Sequence, residues 1–166
     1  MTAKRYPTYV FSQAQHQGTI AAHNHVSLTN PTGSGKLLSL GGVFISQVAA
    51  GAISLVDPMR GWTATSVSGG TLQAASAIGK AYSTDPDPAG QIRTEGMSAT
   101  LVAPWFNSPP LLATGAASPP FVHQVPTSLP GGKAITLFPG ESVVLRSESG
   151  DLNQRWNLSI AWLEVS

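Results

Sequence analysis

The chain has no cysteine and very little charge. Without thiols there is no disulfide framework, no thiolate zinc site and no cysteine nucleophile. Charged residues make up 10% of the sequence, against roughly 25% in an average soluble domain. The formal net charge is +1, so electrostatics give no reason to expect a nucleic-acid or membrane partner. No apolar run approaches the roughly 18 residues that mark a spanning helix. Lys4 and Arg5 are not followed by an apolar stretch, so no signal peptide is expected.

Hydrophobic residues are 42% of the 166, enough for the core of one domain. Where charge would ordinarily sit, the chain carries Ser, Thr, Ala, Gly and Pro. The composition reads either as a secreted or unusually neutral β domain or, since depletion of charge marks surfaces that are covered by neighbours, as a protein packed in an assembly.

The closing run is the most legible. Pro-Gly turns at 130–131 and 139–140 bound short β-prone segments at 133–138 and 142–147. The last segment, 155–165, alternates: Trp156, Leu158, Ile160 and Trp162 share one face, and Arg155, Asn157, Ser159 and Ala161 the other. That pattern predicts a half-buried strand sealing a core. A first core strand is expected over 19–29, with Ile20, Ala22, Val26 and Leu28 on one face and Ala21, His23, His25 and Ser27 on the other. A second, over 36–48, contains Gly41-Gly42, which predicts a bulge or bend.

Further strands are expected at 52–56, 98–103 and 121–125. Residues 60–63 read as a turn with one aromatic, 68–70 as a break, and 85–90 as a loop. The segment 71–82 leaves helix and irregular structure open, since its alanines favour a helix and Gly79 weakens it. Residues 104–120 hold five prolines and are expected to form a long loop. About eight strands with closely spaced turns predict an all-β, single-domain β-sandwich or jelly roll. Its expected parts are an extended N-terminal arm, 1–18, and the sandwich, 19–166. No repeat or linker divides the chain.

The polar and aromatic N-terminus reads either as a frayed end or as an arm that orders on a partner. In the second reading Tyr6, Tyr9 and Phe11 are anchors and Lys4 and Arg5 rim charges. Trp105 and Phe106, inside the proline-rich segment, either cap the core or form an exposed patch for a neighbour.

Catalytic signatures fail on chemistry. Pro31-Thr32-Gly33-Ser34-Gly35-Lys36 looks like the end of a phosphate-binding loop, but that loop needs a glycine at 30 and a hydroxyl at 37. Asn30 and Leu37 stand there, and strand rather than helix follows. His23 and His25 could share a metal, yet two ligands are too few, with His16 and His123 remote in sequence. They are expected on a strand surface facing solvent or an interface. The few acids mostly sit in turns and single out no pair, and there is no Gly-x-Ser-x-Gly elbow. No catalytic residue, metal or cofactor is expected, and no small-molecule substrate.

Two segments carry a resemblance. Asn24-His25-Val26-Ser27-Leu28-Thr29-Asn30-Pro31-Thr32-Gly33-Ser34-Gly35-Lys36, followed by strand, resembles the opening of small virion proteins of tailed bacteriophages. Leu137-Phe138-Pro139-Gly140-Glu141-Ser142-Val143-Val144-Leu145-Arg146, followed by a Trp-bearing strand, resembles their ends. The resemblance implies a non-enzymatic decoration, or cement, protein on the capsid surface of the virion. It implies the major capsid protein as partner and a homotrimer as the form. Alternatives are a tail, baseplate or head-fibre component, or a carbohydrate-binding jelly roll stacking Trp62 or Trp105 on a sugar.

Overall fold

The structure, a computed structural model, describes residues 5–17, 22–49, 59–107, 122–125, 128–129, 133–148 and 155–166. Side chains at 15–17, 47–49, 107, 122–125 and 128–129 are not described. The expected strand at 52–56, residues 19–21 of the expected first strand and most of the 104–120 loop lie outside the described residues.

The fold is an antiparallel β-sandwich. Its larger sheet is built from β1 (Thr8–Gln17), β3 (Leu37–Ala49), β5 (Gly79–Lys80), β7 (Val122–Val125), β10 (Thr136–Leu137) and β12 (Arg155–Val165). The order is β10-β3-β12-β1-β5, with β7 also on β3. The second sheet contains β2 (His23–Thr29), β4 (Met59–Leu72), β6 (Gln91–Asn107) and β11 (Ser142–Ser147). These four close on themselves in the order β11-β2-β6-β4. The short β8 (Ser128–Leu129) and β9 (Lys133–Ala134) pair apart from both.

The core follows the period of two. Trp156, Leu158, Ile160 and Trp162 are all 1% exposed or less, as the alternation in β12 predicts. In β3 the buried set changes phase, from Leu38 and Leu40 to Val43 and Ile45. The register against β12 slips there, with Leu40 opposite Trp162 and Gly42 opposite Ala161. The extra residue at the Gly pair is a bulge that keeps all four side chains on the inner face.

The N-terminal segment is not an arm. Residues 8–17 form β1, hydrogen-bonded to β12 on one side and β5 on the other. Tyr9 and Phe11 are 1% and 5% exposed and belong to the core. Once the chain alternates large apolar and small polar residues beside an open strand, burial and a full backbone ladder outweigh a frayed end. The expected boundary at 18 therefore does not separate two units.

Other expectations are also corrected. Residues 60–63 and 68–70 are not a turn and a break but parts of the 14-residue β4. Its glycines are absorbed as register shifts against β6. The segment 71–82, open between helix and irregular structure in the sequence, holds one 3-10 turn, Ala75–Ala77, and the short β5. Residues 104–107 continue β6, because Pro104 falls on an edge with no ladder partner to donate to on that side.

The buried Asn30 ties the Asn-Pro-Thr-Gly-Ser-Gly turn to the sheet. Its Nδ2 donates to the carbonyls of Lys36 and Leu137 at 2.8 and 2.9 Å, and its Oδ1 accepts from Ser34 Oγ at 2.6 Å.

Candidate functional site

Charge is placed unevenly. No Asp, Glu, Lys or Arg occurs at 61–79 or at 96–132. These stretches include most of β4 and β6, which pair along their length as a ribbon. Beyond residue 64, β4 pairs only with β6 among the described residues, and β6 beyond 94 pairs only with β4. Residues 65–72 are exposed apart from half-buried Val67, and Ser98, Thr100, Val102 and Ala103 are exposed too. Most of the ribbon is therefore open to solvent and, apart from Glu95, uncharged, while buried Met97 ties it to β2, its carbonyl and sulfur accepting from Asn24 Nδ2 and Ser27 Oγ.

At its base lies a groove of about 430 Å³. Ala64, Ile135 and Leu137 supply buried apolar lining, and Thr63, Thr65, Val102, Trp105, Phe138 and Ser142 also border it. Val102 and Phe138 are 60% and 56% exposed. Trp105 is half-buried and packs on Gly61, where a Cβ would fall 2.5 Å from the indole. Only glycine permits that approach, so β4 fixes the ring's position. The indole Nε1 is buried and meets no acceptor among the described residues, an expense of about 1–3 kcal/mol.

Among the described residues, Lys133 and Glu141 bring the groove's only charges. Glu141 is committed, its Oε2 accepting the Phe138 N–H at 2.8 Å. Lys133 is exposed, and among the described residues it is the one charged side chain without a partner.

The residues expected to bind a partner do not gather in one place. Lys4 lies outside the described residues. Arg5 pairs with buried Asp85 and sits 4.0 Å over the Tyr82 ring. Tyr6 is 38% exposed near it. Tyr9 and Phe11 are interior and cannot anchor a partner in this fold. Phe106 is buried in the same core at 8% exposure, its ring 6.0 Å from that of Trp105. Of the seven, Trp105 alone lines the groove. Sequence reasoning does not single out Val102, Phe138 or Lys133. The signal it offers is the charge gap that ends at Lys133.

Of the two histidines expected on a strand surface, His25 is interior and His23 is half-buried. His25 is fully buried, with Nε2 2.7 Å from Ser147 Oγ, and the His23 ring meets it edge-on at 4.9 Å. Burial, the largest influence, holds the His23 pKa below its ordinary value, with Arg146 acting in the same direction and Glu95 against it. Among the described residues, no three His, Cys, Asp or Glu side chains gather as a metal site needs. Trp62 is half-buried and does not line the groove; its indole donates to Glu148 Oε1 at 3.3 Å. Glu148 also faces Arg60 and Arg146.

Neither a protein-family model, a curated protein nor a solved structure matches the chain.

Proposed function

We propose that this chain is a non-enzymatic decoration protein of a phage head, attached to the outer capsid surface and bridging subunits of the major capsid protein. The observation that supports this best is the coincidence of exposed apolar groups with absent charge. Val102 protrudes from the uncharged stretch of the ribbon and Leu72 from its far end, opposite Arg93, and the groove at Trp105 opens beside Val102. An apolar, charge-poor surface gains by being covered. The Asn30 turn and the closing strands carry the resemblance to virion proteins.

The physical task is compatible with a small β-sandwich. A head under internal pressure is strengthened by any protein that binds its assembled state alone, by mass action. A bridging protein needs contact surface and rigidity, not a reactive group. The proposed form is a homotrimer, which light scattering would report as three times 17.2 kDa.

Copy number tests the reading. Native particles are purified and this chain is quantified against the major shell protein by mass spectrometry. A simple ratio to shell subunits is expected. A handful of copies per particle would move the chain to the tail or a fibre, and absence from particles would overturn a virion role altogether.

A further inference from the structure

We infer that the groove at Trp105 receives an extended polypeptide segment of the partner protein, one that places a large apolar side chain beside a carboxylate. This deepens the attachment reading and rests on it for the identity of the partner.

The lining sets the apolar requirement. Val102, Phe138 and the face of Trp105 border a space of about 430 Å³ above Ile135 and Leu137. Pockets of a few hundred Å³ hold a drug-sized molecule, and a few residues of extended chain have similar bulk. Trp105 is held against Gly61, so the groove is formed in advance and little ordering is needed on binding. A positioned tryptophan ringed by apolar side chains is the usual composition of a binding hot spot.

The charge requirement comes from Lys133. Every other charged side chain among the described residues is engaged; Arg5 with Asp85, Lys80 with Asp87, Arg60 and Arg146 with Glu148, Arg93 with the Gly69 carbonyl and Lys36 with Ser166 are examples. In a chain this poor in charge, one uncommitted ammonium at an apolar groove is complementary to an anion. Glu141 also borders the groove, but its carboxylate caps the Phe138 turn, and among the described residues it forms no ion pair with Lys133. A carboxylate next to the apolar side chain would meet Lys133 at the rim. A lysine there would be repelled, so the pair gives selectivity more than affinity.

The isolated chain is titrated with 8-anilinonaphthalene-1-sulfonate, an apolar aromatic anion, and the bound dye is then displaced by capped pentapeptides. One peptide has phenylalanine second and aspartate fourth; its counterpart has lysine fourth. The acidic peptide is expected to displace dye at least fivefold more readily. Lys133→Glu should reverse that order, and Val102→Asp should weaken both dye and acidic peptide by tenfold or more. Both positions are exposed, so the variants keep the fold, which circular dichroism checks. Equal displacement by the two peptides, or an unchanged Val102→Asp variant, overturns the inference. So does displacement by an oligosaccharide but by neither peptide, which would hand the groove to a sugar. Particles that carry the chain while its groove ignores peptides would sink this inference alone. A groove that binds the acidic peptide on a chain absent from particles would sink only the capsid reading.

Discussion

Two regions of this protein solve the problem of scarce charge in opposite ways. Around the 81–90 loop nearly every polar group is spent on fixing structure. Buried Glu164 accepts the backbone N–H groups of Ala89 and Gly90 at 2.8 and 2.9 Å and the Trp162 indole at 3.3 Å. Tyr9 Oη donates to the Pro86 carbonyl at 3.0 Å, and Lys80 bridges to Asp87 at 2.8 Å. The β4–β6 ribbon instead has no charge over most of its length and is held by its backbone ladder and pairs such as Ser66–Thr100, 2.9 Å apart. A two-stranded ribbon is marginal on its own. The strapped loop satisfies its polar groups within the chain, whereas the ribbon is the surface that the proposed attachment would cover.

The largest expected effect falls on the strapped side. Deleting residues 1–17 should abolish folding, because it removes Tyr9 and Phe11 from the core and the partner of β12 along most of its length. Each buried aromatic is worth about 3–5 kcal/mol, and the whole domain only about 5–15 kcal/mol. Loss of the cooperative thermal transition checks this; a truncated chain that melts normally would restore the arm reading.

Next come two substitutions of similar size, one in each region. Glu164→Ala strands three donors, and about 3 kcal/mol should be lost in denaturant titration. Gly70→Ala forces a residue into φ +64°, with its Cβ 2.5 Å from the Glu95 carbonyl oxygen and 2.8 Å from that of Thr94. It should cost about 2–4 kcal/mol. If the ribbon is an independent element, the Gly70→Ala loss will show up as local amide exchange at 65–72 and 97–103. A purely global loss would show that ribbon and sandwich are one cooperative unit.

This contrast also explains what is legible in the sequence. Trp156, Leu158, Ile160 and Trp162 announce their strand, because a sheet with one covered face writes its burial as alternation. In β2 and β11 neither face is open, with burial running through His25, Ser27, Ser142 and Val144. There the alternation misplaces His25 on a surface. Half of each strand's side chains join the main core and the others are covered inside the closed ring of strands, so a polar residue in the sequence no longer means solvent. The groove is readable only at Trp105. Its other walls come from residues distant in the chain, and only folding brings Val102 to Phe138.

The strapped side also has a pH signature. Burial first, then the carboxylates of Glu164, Asp85 and Asp87, push the Tyr9 pKa from 10.0 up to about 12. In the unfolded chain the phenol ionises near 10, so the folded state holds its proton more tightly between these values. The resulting stability is complete below pH 10 and is lost as pH rises through about 12, by roughly 2–3 kcal/mol. Tyr9→Phe cannot ionise. It gives up one hydrogen bond, about 1 kcal/mol at neutral pH, and should then become the more stable protein near pH 12. Parallel urea titrations of both chains check this, and a constant difference across that range would mean that Tyr9 is accessible to water.

The smallest effect on stability is expected where the effect on attachment is greatest. Leu72, 49% exposed on the ribbon, should accept lysine within about 0.5 kcal/mol. So should Thr84, exposed on the strapped loop. A new ammonium at 72, opposite Arg93 in the ladder, would be stripped of water when the ribbon is covered, and such a buried charge costs several kcal/mol. Leu72→Lys should therefore weaken binding to particles by tenfold or more, whereas Thr84→Lys leaves it within twofold. Equal losses would show that both regions touch the shell. If neither variant detaches, the uncharged ribbon is not the attachment surface, and its openness reflects only the short reach of the sandwich beneath it.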